Sequence, residues 1–177
     1  MRVVGFAGFS GAGKTTLVEG VIAALRLRGL RVSVVKHVHH GFEIDHPGKD
    51  TWRHREAGAY EVVAASSQRM ALVRSFERPQ SLTAHDLIRA LHPGVDWVLV
   101  EGFKESNLLK VEVWRPDTGK PARYPDDAFI VAIATDAPDS LPESTLRPVL
   151  DLNVPDAIAD WLIDNGHRFD YDPEAYR

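Results

Sequence analysis

A chain of 177 residues is the size of one α/β domain, and 44% hydrophobic residues are enough for one buried core. Lys and Arg total 21 against 25 Asp and Glu, a formal net charge of −4, which gives no electrostatic reason to expect nucleic acid as a partner. The absence of cysteine excludes disulfides, thiolate zinc sites and cysteine nucleophiles.

The apolar opening Val3 to Ala7 is interrupted at Gly8-Phe9-Ser10-Gly11, so it reads as a buried strand rather than a signal peptide. No stretch approaches the roughly 20 apolar residues of a membrane span, and a soluble, cytoplasmic protein without a membrane partner is expected. From Lys14 to about Leu27 the residues Leu17, Val18, Val21, Ile22 and Leu25 recur at helical spacing, and Gly29 stops the helix. Arg31 to Lys36 reads as a second strand. Together these form a βαβ unit with parallel strands and a right-handed crossover.

His37 to Asp50 is polar, rich in turn formers and aperiodic, the mark of a functional loop. Thr51 to Ala59 reads as a helix. Glu61 to Ala65 and Met70 to Phe76 read as paired strands joined by Ser66-Ser67-Gln68-Arg69. Thr83 to Leu91 is an amphipathic helix, and Trp97 to Val100 an apolar strand ending at Glu101-Gly102. Lys110 to Arg115 alternates as a half-exposed strand does. Phe129 to Ala134 is a continuous apolar strand ending at Thr135-Asp136, and Asp156 to Asn165 is the last helix. No linker or repeat interrupts the chain. The expectation is a single domain over 1–177, with 171–177 a loose tail. Its fold class is α/β and P-loop NTPase-like: a mostly parallel central sheet flanked by helices, with some antiparallel strands.

Gly8-Phe9-Ser10-Gly11-Ala12-Gly13-Lys14-Thr15 matches the phosphate-binding pattern G-x-x-x-x-G-K-[ST] in full, between a strand and a helix. Its glycines let successive N–H groups turn inward, and the helix beginning at Lys14 adds the positive end of its dipole. Ser10, Gly11, Ala12 and Gly13 form the cradle. Lys14 neutralises β- and γ-phosphate charge, Thr15 offers a hydroxyl to Mg²⁺, and Thr16 reaches the α-phosphate.

Ligands of doubly wound sheets lie beyond the carboxyl ends of the strands. Glu101 therefore stands where a metal-binding acid belongs, the alternative being a solvated loop residue. Asp45 and Asp50 are further acids for the metal, with Asp45 preferred and Asp50 a helix cap. Asp136 ends another strand. A carboxylate there accepts the two coplanar donors of guanine, which adenine does not offer, although Asp136-Ala137-Pro138 is equally an ordinary turn. Lys36-His37-Val38-His39-His40 reads in three ways: Lys36, His37 and His39 as the seat of a second anion, a solvated loop, or a metal site completed by His46 or carboxylates. Lys49, Arg53 and Arg55 add positive charge nearby.

These residues, with Asp45-His46-Pro47-Gly48-Lys49-Asp50-Thr51, Ala57-Gly58-Ala59, Glu101-Gly102-Phe103-Lys104 and Ala134-Thr135-Asp136, are collinear from residue 3 to about 136. The set resembles the molybdopterin-guanine dinucleotide biosynthesis adapter (MobB) family of the P-loop GTPase superfamily. The resemblance implies a weak GTPase, with GTP and Mg²⁺ bound and molybdopterin as a further bound ligand. It implies an adapter that assists a MobA-like molybdopterin guanylyltransferase in joining GMP to molybdopterin, and a homodimer. Carried across, Gly11 to Thr16 hold phosphates, Lys14 and Glu101 serve any hydrolysis, Asp136 faces the base, and Lys104 adds charge near the second ligand. No water-positioning residue or cationic finger is evident in the sequence, so hydrolysis is expected to be slow. Two other classes share the P-loop: a small-molecule kinase with Arg53, Arg55 or Arg69 as lid residues, and a metal-insertion GTPase using His37 to His40.

Overall fold

The structure, a computed structural model, describes residues 1–38 and 41–176. The chain divides into two compact units, residues 1–37 with 83–177, and residues 38–82. The loop, helix and strand pair that the sequence offered as part of a single domain thus form a unit of their own.

The larger unit is built on six parallel strands: β1 (Arg2–Ala7), β2 (Val32–Lys36), β5 (Trp97–Glu101), β6 (Lys110–Val113), β7 (Ile130–Thr135) and β8 (Val149–Asp151). Their order across the sheet is β2-β5-β1-β6-β7-β8. Alternate residues feed the two faces, as strand geometry requires. Val4, Phe6, Trp97, Leu99, Val111 and Val113 pack with helix α1 (Lys14–Leu27) and helix α4 (Pro155–Asp164). Val3, Val98 and Val100 pack with Val35, Leu108 and the Ala84 and Ile88 of helix α3 (Ala84–Arg89).

The two ends of sequence control are visible in the helices. α3 is fixed by its own residues: Thr83 and Asp86 form a reciprocal capping box. α1 has no side-chain cap and begins at Gly13, held in the left-handed region at φ 93°. Leu17, Val18, Val21, Ala24 and Leu25 bury its inner face, so packing rather than capping holds it.

Three readings change. β6 is fully buried, not half-exposed, because it lies between β1 and β7. Its polar alternation is satisfied internally. Lys110, 1% exposed, donates to the Ser106 carbonyl at 2.5 Å and pairs with Asp127 at 3.1 Å. Glu112 accepts the backbone N–H groups of Arg123 and Tyr124 at 2.7 and 2.8 Å. Desolvation raises the Glu112 pKa despite those bonds. The second change is β8, which is too short to show a pattern. The third is the tail. Tyr171 is buried, its N–H bonds the Met1 carbonyl, its hydroxyl meets His85 Nδ1 at 2.7 Å, and one 3₁₀ turn follows over Pro173–Tyr176.

The smaller unit contains helix α2 (Asp50–Glu56) and the antiparallel strands β3 (Glu61–Ala65) and β4 (Met70–Arg74). The turn is closed by Ser66, whose N–H bonds the Arg69 carbonyl and whose hydroxyl accepts from Gln68 and Arg69. Val63, Met70 and Leu72 stay exposed on one face of this hairpin. Among the described residues no helix is long and apolar enough to cross a membrane.

Candidate functional site

The phosphate loop follows β1, and the strands beside β1 determine what surrounds it. Gly8 takes φ 142° and Gly11 φ 85°, conformations that L side chains rarely adopt. Gly8 also runs against β6, where an added Cβ would lie 2.3 Å from the Val113 carbonyl oxygen. The loop is tied to itself by the Ala12 N–H on the Phe9 carbonyl at 3.3 Å and by Lys14 Nζ on the same carbonyl at 2.8 Å.

Because β5 lies between β1 and β2, Glu101 is in register with Phe6 on one side and Lys36 on the other. Its carboxylate, in a residue only 8% exposed, accepts the Thr15 hydroxyl at 2.6 Å and pairs with Lys36 Nζ at 3.2 Å. Lys36 Nζ also reaches Thr15 Oγ1 at 3.4 Å. Thr15, Glu101 and Lys36, chosen from separate parts of the sequence, therefore form one hydrogen-bonded cluster at the start of α1. Burial lowers the Lys14 pKa; Glu101 opposes this, and the charges of Lys36 and Lys104 lower it further. An anion bound at this place would oppose the lowering.

Lys36, His37 and Lys104, the described residues expected to seat a second anion, gather on the same side. His37 donates its N–H to the Glu101 carbonyl, and its ring stacks on Phe103 with centroids 4.5 Å apart. Phe103 carries φ 47°, an uncommon conformation for a bulky residue and one that concentrates at functional sites. Lys104 Nζ lies 5.2 Å from the centre of the Phe9 ring in the phosphate loop. His39 and His40 lie outside the described residues.

Asp45 belongs to the smaller unit, where it organises the chain locally. It accepts the Thr51 hydroxyl and the His46 N–H, each at 2.9 Å, and pairs with Arg55 at 3.5 Å. Burial works to raise its pKa, but these partners outweigh it and the value is lowered. Asp50 is the first residue of α2 and pairs with Arg53 at 3.8 Å. Arg55, considered for a lid, is bound to Glu43 at 3.0 Å and to Asp45. Among the described residues no three His, Asp or Glu side chains stand together as a metal site.

Asp136 follows β7, and here the structure adds a residue that sequence reading missed. Arg115 lies just past β6, with its Nε 3.2 Å from Asp136 Oδ2. Arg115 was legible in principle. It is a charged residue at the carboxyl end of a strand, the rule that selects Glu101 and Asp136, but β6 ends at Val113 rather than at Arg115 as the alternation suggests.

A mononucleotide phosphate fits this arrangement through the loop backbone, Lys14 and the uncapped start of α1. Mg²⁺ fits the oxygen donors of Thr15 and Glu101, since that ion takes one or two protein oxygens and completes its shell from phosphate and water.

Known proteins similar to this chain identify its family. The model of the family described as MobB, molybdopterin guanine dinucleotide synthesis protein B, matches residues 3–136. The chain is 39% identical over 169 residues to the molybdopterin-guanine dinucleotide biosynthesis adapter protein of Haemophilus influenzae (strain ATCC 51907 / DSM 11121 / KW20 / Rd), covering 94% of this chain and 90% of that one. It is 35% identical over 164 residues to the adapter protein of the same description from Escherichia coli (strain K12), covering 92% and 91%. The crystal structure of a MobB protein homolog from Bacillus stearothermophilus superposes with a TM-score of 0.70 at 26% identity, covering 95% of this chain and 99% of that one. With a match over most of its length and a phosphate loop, acid and sheet order that form one site, the chain belongs to the MobB family.

Proposed function

We propose that the protein is a GTP-binding adapter of molybdopterin-guanine dinucleotide biosynthesis, assisting a MobA-like guanylyltransferase that attaches GMP to molybdopterin. The observation that carries the nucleotide part is the Thr15–Glu101–Lys36 cluster at the mouth of the phosphate loop. The adapter part rests on the relatives described as adapter proteins. In this reading Ser10 to Thr16 hold the phosphates, Thr15 and Glu101 hold Mg²⁺, and Asp136 accepts the base. Mg²⁺, when bound, supplies charge neutralisation to the phosphates. Lys36, His37 and Lys104 are the groups for the second anion, for which the phosphate of molybdopterin is the proposed ligand.

Hydrolysis is slow in this reading. Glu101, the buried acid at the site, is already engaged by Thr15 and Lys36, which leaves it poorly suited to activating water. A homodimer is supported by the smaller unit. A two-stranded sheet is marginal alone, and Val63, Met70 and Leu72 form an exposed apolar face that a second copy would cover. A cytoplasmic location belongs to the same proposal.

The test is calorimetric binding of GTP and ATP, each with Mg²⁺, to the protein alone and with a molybdopterin guanylyltransferase. GTP is expected to bind more tightly than ATP and to bind the pair more tightly than the single protein. Equal affinities for the two nucleotides would remove the guanine assignment. Rapid phosphate transfer from ATP to a small metabolite would replace the adapter with a kinase.

A further inference from the structure

Arg115 stands between two parts of the site, the phosphate loop and Asp136. β6 lies between β1, which carries the phosphate loop, and β7, which carries Asp136. Val113 and Ala134 are the last paired residues of β6 and β7, so Arg115 and Asp136, each two positions further on, leave the sheet side by side. On one side the guanidinium contacts Asp136. On the other it faces the phosphate loop: a Cβ built on Gly13 would lie 3.9 Å from its Cζ and from Nη2.

The backbone under this side chain is firmly held. Trp114 donates its N–H to the Ala134 carbonyl and its indole N–H to the Lys120 carbonyl. The Arg115 carbonyl accepts the Thr118 hydroxyl at 2.8 Å, and Pro116 begins one 3₁₀ turn. The guanidinium itself is less committed. Its Nε is buried and 3.2 Å from Asp136, yet the pair lacks hydrogen-bond alignment, and Nε has no hydrogen-bond partner among the described residues. This is a contact between charges, not the aligned fork that arginine forms with a carboxylate when the two are matched.

We propose that Arg115 has two alternative partners, the Asp136 carboxylate and the polyphosphate held by the loop, and that a base which occupies Asp136 hands Arg115 to the phosphates. The inference rests on the guanine reading of Asp136. Guanine donates two N–H groups in one plane and takes both oxygens of the carboxylate. Arg115 then turns its planar donors to the phosphate oxygens beside Gly13. Adenine offers no such pair of donors, so with ATP the guanidinium stays with Asp136. Arg115 thereby converts base identity into phosphate affinity, and the two subsites are reciprocally coupled.

The experiment measures binding of inorganic tripolyphosphate, GTP and ATP to the full chain and to Asp136→Asn, Arg115→Gln, Arg115→Lys and the Arg115→Gln/Asp136→Asn double variant. Removing the Asp136 charge frees Arg115, so Asp136→Asn is expected to bind tripolyphosphate about tenfold more tightly than the parent. The double variant is expected to lose that gain. Arg115→Gln is expected to shrink the GTP-over-ATP preference about tenfold with Asp136 intact, and Arg115→Lys to restore part of it. Thermal unfolding of each variant reports folding separately. Equal tripolyphosphate affinity in Asp136→Asn and the double variant would overturn the proposal, as would an unchanged GTP-over-ATP ratio in Arg115→Gln. If the parent protein does not distinguish GTP from ATP, the guanine reading fails. The tripolyphosphate series contains no base and still decides whether Arg115 reaches phosphate.

Discussion

Replacing Gly8 by alanine tests whether the first glycine of the loop is demanded by the sheet as well as by the ligand. Two costs add. The backbone sits at φ 142°, where a side chain stores about 1–3 kcal/mol of strain. The new methyl would also lie 2.3 Å from the Val113 carbonyl oxygen, which is backbone of the neighbouring strand and cannot swing away. Ordinary carbon–oxygen contacts lie at about 3.3 Å or beyond, so β1 and β6 must part by roughly an ångström. Overpacking of that kind costs about 1–3 kcal/mol more. The sum is about 4 kcal/mol, a large share of the stability of a domain this size.

Gly11 is the internal control. Its φ of 85° carries a similar conformational cost, but a Cβ there meets no atom within 4 Å. Gly11→Ala should therefore lose about 1–2 kcal/mol of stability, and about 2 kcal/mol should separate the two variants. Urea unfolding followed by tryptophan fluorescence measures this, with Trp97 buried in the same unit as the loop. If Gly8→Ala is no more destabilised than Gly11→Ala, the close approach of the loop to β6 is not a constraint and the argument fails. Gly11→Ala should still weaken triphosphate binding, because the loop's inward curl is lost while the sheet is spared.

Lys14→Ala should abolish most triphosphate affinity at little cost to folding, and calorimetry showing unaltered binding would remove the phosphate site itself. Because the Lys14 pKa lies below 10.5 in the protein and phosphate restores it, binding at a pH between the lowered value and 10.5 should take up protons, seen as an enthalpy that varies with buffer ionisation. The linkage sign follows. Between the lowered value and 10.5 the unfolded chain binds more protons at this residue, so its contribution to stability improves as pH rises through that window, while triphosphate affinity falls. Asp136→Asn should shift the base preference from guanine toward xanthine, whose carbonyl replaces the guanine amino group; an unchanged ratio of GTP to xanthosine triphosphate affinity would exclude Asp136 as the base reader. Lys110→Ala leaves Asp127 without its buried partner and should cost about 3–5 kcal/mol in urea unfolding, without moving nucleotide affinity in the folded protein.

The strands and helices were legible wherever a single local signal sufficed. The run from Lys14 to Leu27 shows helical spacing, and Val3 to Ala7 a buried strand that turns into glycine. β6 was misjudged because Lys110 and Glu112 look solvent-facing. Their partners, Asp127, Ser106 and the amides of Arg123 and Tyr124, come from segments that no local pattern connects to them. Gly5 on β1 is part of the same arrangement, since a Cβ there would lie 2.6 Å from Lys110 Cγ. Division of the chain at residues 37 and 83 was hidden for a different reason. The polar, aperiodic stretch from His37 reads as a loop within one domain, and the sequence after it contains the ordinary elements of an α/β chain.

Sheet order is the information that turns separate motifs into a site. The rule that ligands lie beyond the carboxyl ends of strands selects Glu101 and Asp136 but does not say what faces them. Inserting β5 between β1 and β2 brings Glu101 to Thr15 and Lys36. Placing β6 between β1 and β7 brings Arg115 to Asp136 and to the loop. Each acid therefore has a cation beside it that also lies near the phosphate loop: Lys36 for Glu101, Arg115 for Asp136. A ligand that engages either acid changes the charge available to the phosphates. The metal and the base would thus act on the phosphates through parallel arrangements, one on each side of β1, and the difference lies in the cation. Lysine is a hydrated point charge that yields readily to a metal ion, whereas arginine carries a fixed fork suited to changing partners.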